Sequence, residues 1–194
     1  MSVTTLLCLP DNPANCTLRD IDTHEVLYTV TSESTGKNPV TTIKNALGSV
    51  IATSEWRDAV RGHKLTLGSE NGGVSMPART WLKKSMIPFK DTVTFEDTNG
   101  RKFKWKGNAP GLALELYGSD DKTRPIARFQ KSAKDYTSNP PSITPAKLLI
   151  DSRGMEICDL IVISFLMLEK DRRLSENEVV GRSRALAFGG GAFS

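Results

Sequence analysis

Histidine, cysteine and long apolar runs are all scarce in this chain of 194 residues. Its two histidines, His24 and His63, stand at no metal-ligand spacing from each other, from the cysteines or from the carboxylates, so no metal site is expected. The sequence has no Gly-x-Ser-x-Gly elbow, no His-Glu-x-x-His pair and no glycine loop ending in the Lys that holds phosphate. Serine hydrolysis, zinc proteolysis and P-loop chemistry therefore lack their signatures. The expectation is a non-enzymatic protein with no catalytic residue and no cofactor. The three cysteines, Cys8, Cys16 and Cys158, leave one thiol over in any pairing and form no disulfide framework. That suits a reducing compartment, so the expected location is cytoplasmic, with peripheral membrane attachment or the nucleus both compatible. The N-terminal stretch has no basic residue ahead of its short apolar run, so no secretory signal is expected.

The longest apolar segment, residues 160–168, is far short of the roughly 20 residues that span a bilayer. The chain is expected not to be transmembrane. Within residues 155–173, Ile157, Ile161, Phe165 and Leu168 fall on one side of a helical wheel, and Leu160, Val162, Ile163, Leu166 and Met167 fill much of the rest. A strand competes as a reading because several of these residues are β-branched. The end charges favour a helix: Glu156 and Asp159 lie in the first turns, Lys170, Arg172 and Arg173 in the last, matching the helix dipole. A helix apolar on all sides has no face for water and must be enclosed by protein.

The rest of the chain reads as short strands at even spacing, at residues 3–9, 17–21, 25–30, 41–45, 50–56, 65–67, 74–77, 91–96, 101–106, 112–117, 125–130 and 146–151. About a dozen strands with almost no helical periodicity predict a mainly β fold, a closed antiparallel β-barrel around a central hydrophobic C-terminal helix. Asp97-Thr98-Asn99-Gly100 is the clearest hairpin turn, and Ser69-Glu70-Asn71-Gly72-Gly73 reads as another. Residues 79–86 are predicted as a short helical turn, and the proline-rich stretch 131–145 as a mobile connection. One domain over residues 1–174 and a flexible C-terminal tail over 175–194 follow from composition.

Several segments together resemble a family of unknown function abundant in mushroom-forming fungi, grouped with the tubby-like and LURP-one-related, scramblase-like superfamily. They are Ile51-Ala52-Thr53-Ser54-Glu55-Trp56, the run from Asp97 through Phe103-Lys104-Trp105-Lys106, Leu114-Glu115-Leu116-Tyr117, Pro125-Ile126-Ala127-Arg128-Phe129, and Asp159 through Phe165 to Glu169-Lys170. The resemblance rests on their order and spacing over residues 6–173 rather than on any one motif. It implies a twelve-stranded tubby-like barrel closed around the C-terminal helix. Tubby proteins bind phosphoinositides through basic residues, but no tubby lipid-binding motif matches here residue by residue, so only the fold is carried over.

The formal net charge is +4, yet residues 79–106 alone hold eight Lys or Arg against three Asp or Glu, a local +5. In residues 101–106 a period of two places Phe103 and Trp105 on one face and Lys102, Lys104 and Lys106 on the other. Three ammonium groups spaced about 7 Å apart along a strand suit phosphate groups. Arg79, Lys83 and Lys84 join this candidate anion-binding set if the fold brings them near. The plainer reading is a solvated edge strand whose lysines prevent aggregation. The leading expectation is a binding domain that contacts anionic phospholipid head groups through a basic outer face. A protein-interaction module, stress or defence related and using Trp81 and the tail, is the alternative. Nucleic acid fits less well, because Phe103 and Trp105 point away from the lysines.

Overall fold

The computed structural model describes residues 2–34, 36–57, 62–68, 72–87, 90–109, 111–137 and 139–189, with side chains as far as residue 178. Its main body is one antiparallel sheet of 13 strands. In chain order these are β1 (Val3–Leu9), β2 (Cys16–Asp20), β3 (Val26–Glu33), β4 (Val40–Asn45), β5 (Val50–Glu55), β6 (Lys64–Leu67), β7 (Val74–Pro77), β8 (Lys83–Lys84), β9 (Val93–Glu96), β10 (Lys102–Lys106), β11 (Glu115–Gly118), β12 (Ala127–Gln130) and β15 (Ala146–Asp151). A separate hairpin, β13 (Ala133–Asp135) with β14 (Ser142–Thr144), follows β12. The short helix α1 (Ala78–Trp81) separates β7 from β8, and after a 3-10 turn at Met155–Ile157 the long helix α2 (Cys158–Gly189) ends the described chain.

The spatial order is β7-β6-β5-β4-β3-β2-β1-β15-β12-β11-β10-β9-β8, so β7 and β8 are the two edges. The expected closed barrel is corrected here, because the edges do not pair. β7 ends at Pro77, which has no N–H to donate, and β8 offers only two residues for a ladder. The sheet is nevertheless strongly curled, since α2 meets side chains from most of its width. Tyr28 of β3 reaches Asp159, Thr41 of β4 reaches Lys170, Trp105 of β10 reaches Ser164, and Phe129 of β12 packs on Phe165 with ring centroids 4.6 Å apart.

Alternation of burial explains the strands. The paired row Val93–Trp105–Leu116–Ala127–Ile150 runs across five neighbouring strands, and every member is buried. Against it lie Ile161, Val162, Ile163, Phe165, Leu166, Met167 and Leu168, all at most 5% exposed. Ile157 is buried as expected, while Leu160 is only half-buried at the rim of the same core. Close approach needs a glycine at Gly154, where a Cβ would come within 2.7 Å of Ile150 and 2.9 Å of Ile161. The turn at residues 97–100 forms as predicted, with Gly100 at φ +75° and Asp97 accepting from the backbone N–H of Asn99 and Arg101.

Three local expectations change. The helix begins at Cys158 and runs to Gly189 rather than stopping near residue 173, because the stretch after Leu174 remains helical once the buried part has fixed its start. Residues 190–194, which completed the predicted tail, lie outside the described residues. The stretch 131–145 contains the β13–β14 hairpin, whose strand residues are all exposed and therefore show no buried alternation. The predicted turn at 79–86 divides into α1 and β8. Of the predicted turn at Ser69 to Gly73, residues 69–71 lie outside the described residues, although β6 and β7 on either side pair antiparallel.

A candidate anion-binding face

The face grows from β10. This strand pairs with β9 on one side and β11 on the other, so it is interior to the sheet and not the solvated edge considered above. Phe103 and Trp105 point inward, and Trp105 donates its Nε1–H to Ser164 Oγ of α2 at 2.9 Å. That contact fixes the register, and with it the outward direction of Lys102, Lys104 and Lys106. Across the sheet Lys104 lies level with Thr94 and Tyr117, and Thr94 with Lys83, so Lys83 shares the outer face.

Two of the three lysines are tethered. Lys102 Nζ is 3.9 Å from Glu96 Oε1, which Lys83 Nζ also approaches at 3.6 Å. Lys106 Nζ sits over the Tyr117 ring at 3.7 Å from its centroid and reaches the carbonyl of Lys122 at 3.4 Å. Lys104 has no ion-pair partner among the described residues. These side chains, with Thr94, Tyr117, Ser119 and Lys122, line a shallow cavity of about 290 Å³. Four lysines and three hydroxyl-bearing residues thus line a cavity whose lining contains no Asp or Glu. The nearby acid Glu115 is occupied by Arg128 at 2.8 Å and by the Tyr117 hydroxyl at 2.6 Å.

Arg79 and Lys84 do not join this face. Lys84 pairs with Val93 on the inner side of the sheet, and its ammonium lies 3.6 Å from Asp171 of α2. Consecutive strand residues point to opposite faces, which is why Lys83 and Lys84 part company. With Arg79 and Lys83 they rim a second cavity of about 500 Å³ in the seam between the sheet edges, floored by Ala78, Leu82, Met167 and Leu168. His63 is there too, tilted against Trp56 at 4.5 Å and with Nε2 3.7 Å from Asp171. The six predicted residues therefore divide between two places: Lys102, Lys104 and Lys106 outside, Arg79 and Lys84 at the seam, and Lys83 bordering both.

Lys122 was missing from the predicted set. It lies in the turn after β11, where Asp121 accepts hydrogen bonds from Thr123 and Arg124, so no strand periodicity could place it. A second unpredicted feature is the polar end of the core. Glu169, fully buried, accepts from Arg172 at 2.5 and 2.9 Å and from Arg173 at 2.7 Å, and Arg173 continues to Asp11. Burial pushes the Asp11 carboxyl up, but hydrogen bonds from Ser132 and Arg173 outweigh it and hold it below its ordinary value.

Trp81, assigned above to a protein contact, is buried and donates to the carbonyl of Glu96, so it is corrected to a core residue. Among the described residues no group of three or more His, Cys, Asp or Glu side chains is placed to hold a metal ion. No helix among them is long and apolar enough to cross a membrane. No curated protein and no solved structure matches the chain. A family model described as a family of unknown function, DUF6593, matches residues 11–174, from the turn after β1 into α2. The match covers the curled sheet from β2 onward and the buried part of its helix, so the chain belongs to this family of unknown function.

Proposed function

We propose that the protein is a non-enzymatic binding domain that docks on anionic phospholipid head groups through the outer face of β9, β10 and β11. The observation that carries this reading is Lys102, Lys104, Lys106 and Lys122 around one acid-free depression on an interior strand. Edge protection is the usual structural reason for a row of strand lysines, and it does not apply to a strand paired on both sides. Each basic residue near an anionic surface contributes about 1 kcal/mol, so attachment is salt-sensitive.

Sedimentation with vesicles of phosphatidylcholine, with and without phosphoinositide or phosphatidylserine, tests this. The wild type is expected to pellet with the anionic vesicles and to be released by salt. Changing Lys102, Lys104 and Lys106 together to Glu is expected to weaken binding by at least on the order of a hundredfold. Equal pelleting by both proteins contradicts the proposal.

A protein-interaction role has its own supporting observation, the projecting β13–β14 hairpin with Tyr136 74% and Ile143 65% exposed. Recovery of a partner that is lost on changing Tyr136 and Ile143 to Ser, with vesicle binding absent, would favour that reading.

A further inference from the structure

Head-group contact accounts for the lysines but not for the apolar side chains held out in water beside them. Met86 is 98% and Ile87 60% exposed, at consecutive positions in the connection from β8 to β9. The described residues of this connection are tied by hydrogen bonds. Ser85 N–H donates to the Thr92 carbonyl at 2.8 Å, Ile87 N–H to Ser85 Oγ at 3.2 Å, and Lys90 N–H to the Ile87 carbonyl at 3.2 Å. These backbone groups are satisfied within the loop, which is what a segment entering a low-dielectric layer requires.

The neighbouring connection from β10 to β11 is tied to it by Asn108 N–H donating to the Asp91 carbonyl at 3.3 Å, and it presents Leu112, 51% exposed. Lys106, the last residue of β10, stands at this same end of the sheet. The charge around the loop is positive: residues 83–91 hold Lys83, Lys84 and Lys90 against Asp91 alone. Apolar tips framed by lysines match a bilayer surface, where acyl chains lie just beneath anionic head groups.

We infer that Met86 and Ile87, with Leu112 beside them, insert into the acyl region of an anionic bilayer while the β10 lysines engage its head groups. The inference rests on the membrane reading above and adds an orientation to it. The protein meets the lipid obliquely, by these two connections and the outer face of β10, with the opposite end of the sheet, which carries the β4–β5 hairpin and Leu47, away from it. Leu47 is 88% exposed and therefore serves as an internal control. The geometry of that control is fixed by Asn45, which pairs with Tyr28, whose hydroxyl reaches Asp159 in the first turn of α2.

The test uses the full chain and vesicles of phosphatidylcholine and phosphatidylserine carrying brominated acyl chains. All three native tryptophans are at most 8% exposed, so a Met86→Trp variant adds one accessible indole. Its emission is expected to shift to the blue on brominated vesicles and to be quenched. In parallel, Met86→Asp with Ile87→Asp is expected to weaken vesicle binding at least tenfold, on the transfer scale for exposed apolar side chains. Thermal stability should be unchanged, since neither side chain is packed, and Leu47→Asp should leave binding unaltered. Vesicle binding with no change in Met86→Trp emission, or equal losses from the Leu47 and Met86 variants, overturns insertion while leaving the head-group reading intact. Absence of wild-type binding at low salt overturns both.

Discussion

Buried charge limits substitution most sharply at Glu169. Its carboxylate has no exposure and is shared by Arg172, itself 3% exposed, and by Arg173. Removing it leaves Arg172 with Glu176 at 2.8 Å and Arg173 with Asp11 but takes away their fully buried counter-charge, which costs about 3 kcal/mol, the low side of the range for breaking a buried pair. Glu169→Ala is expected to lose that much in urea unfolding, and a loss below about 1 kcal/mol would show that water reaches the arginines. In the sequence Arg172 and Arg173 read as end charges of a helix dipole, because nothing local says that the sheet extends past the last apolar turn. Their spacing of three and four residues from Glu169 was visible, but charged residues at that spacing are usually solvated.

Lys170 supplies a pH test. Burial lowers its ammonium from the ordinary 10.5 to about 8, although it rests 3.7 Å from the Trp56 ring centroid and donates to Thr41 Oγ1. The unfolded chain then holds this proton up to pH 10.5 while the folded chain releases it near 8, so the unfolded state binds more protons in that window. Stability contributed at this site therefore rises as pH rises from 8 toward 10.5. The difference in urea midpoint between wild type and Lys170→Met isolates the site, because other titrating groups are common to both. That difference is expected to move in favour of the wild type between pH 7.5 and pH 9.5, values that bracket the lowered value of about 8. A difference flat with pH contradicts it.

At the scale of elements, α2 and its enclosure carry the fold. Ile163 is 1% exposed in the middle of the buried run, and a charge there has no partner and no route to water. Ile163→Asp is expected to abolish cooperative unfolding, read as a lost thermal transition. A retained transition lowered by only a few degrees would mean that the helix can be displaced without unfolding the sheet. Twelve of the main strands were legible, and in all of them but β7, where only Met76 is half-buried, one face is buried, which writes a period of two into the sequence. β8, β13 and β14 were not, since strands of two or three residues with exposed side chains leave no such period. The start of the helix beyond residue 173 escaped notice for the same reason: Leu174, Ser175, Asn177 and Glu178 are exposed, and apolar periodicity stops where enclosure stops.

For the whole molecule, what alternation cannot reveal is whether the first edge of a sheet meets the last. Each strand records only that it has an inner face, so closure was read as complete although β7 and β8 stay apart and leave a seam cavity over Met167 and Leu168. The same limit divided the predicted basic residues, which form one cluster along the chain but turn to two sides of the sheet. Lys102, Lys104 and Lys106 were recoverable because one strand orders them, whereas Lys122 arrives from a turn.

The membrane reading claims that a place on the surface, and not the net charge of +4, holds the protein to anionic lipid. Comparing two variants of equal charge settles this most directly: Lys102, Lys104 and Lys106 changed to Glu, against the exposed Lys37, Lys44 and Lys64 changed to Glu. Vesicle titrations at matched ionic strength are predicted to show binding lost in the first and kept within about threefold in the second, because screening confines each charge's effect to roughly a Debye length. Equal loss in both would contradict the account.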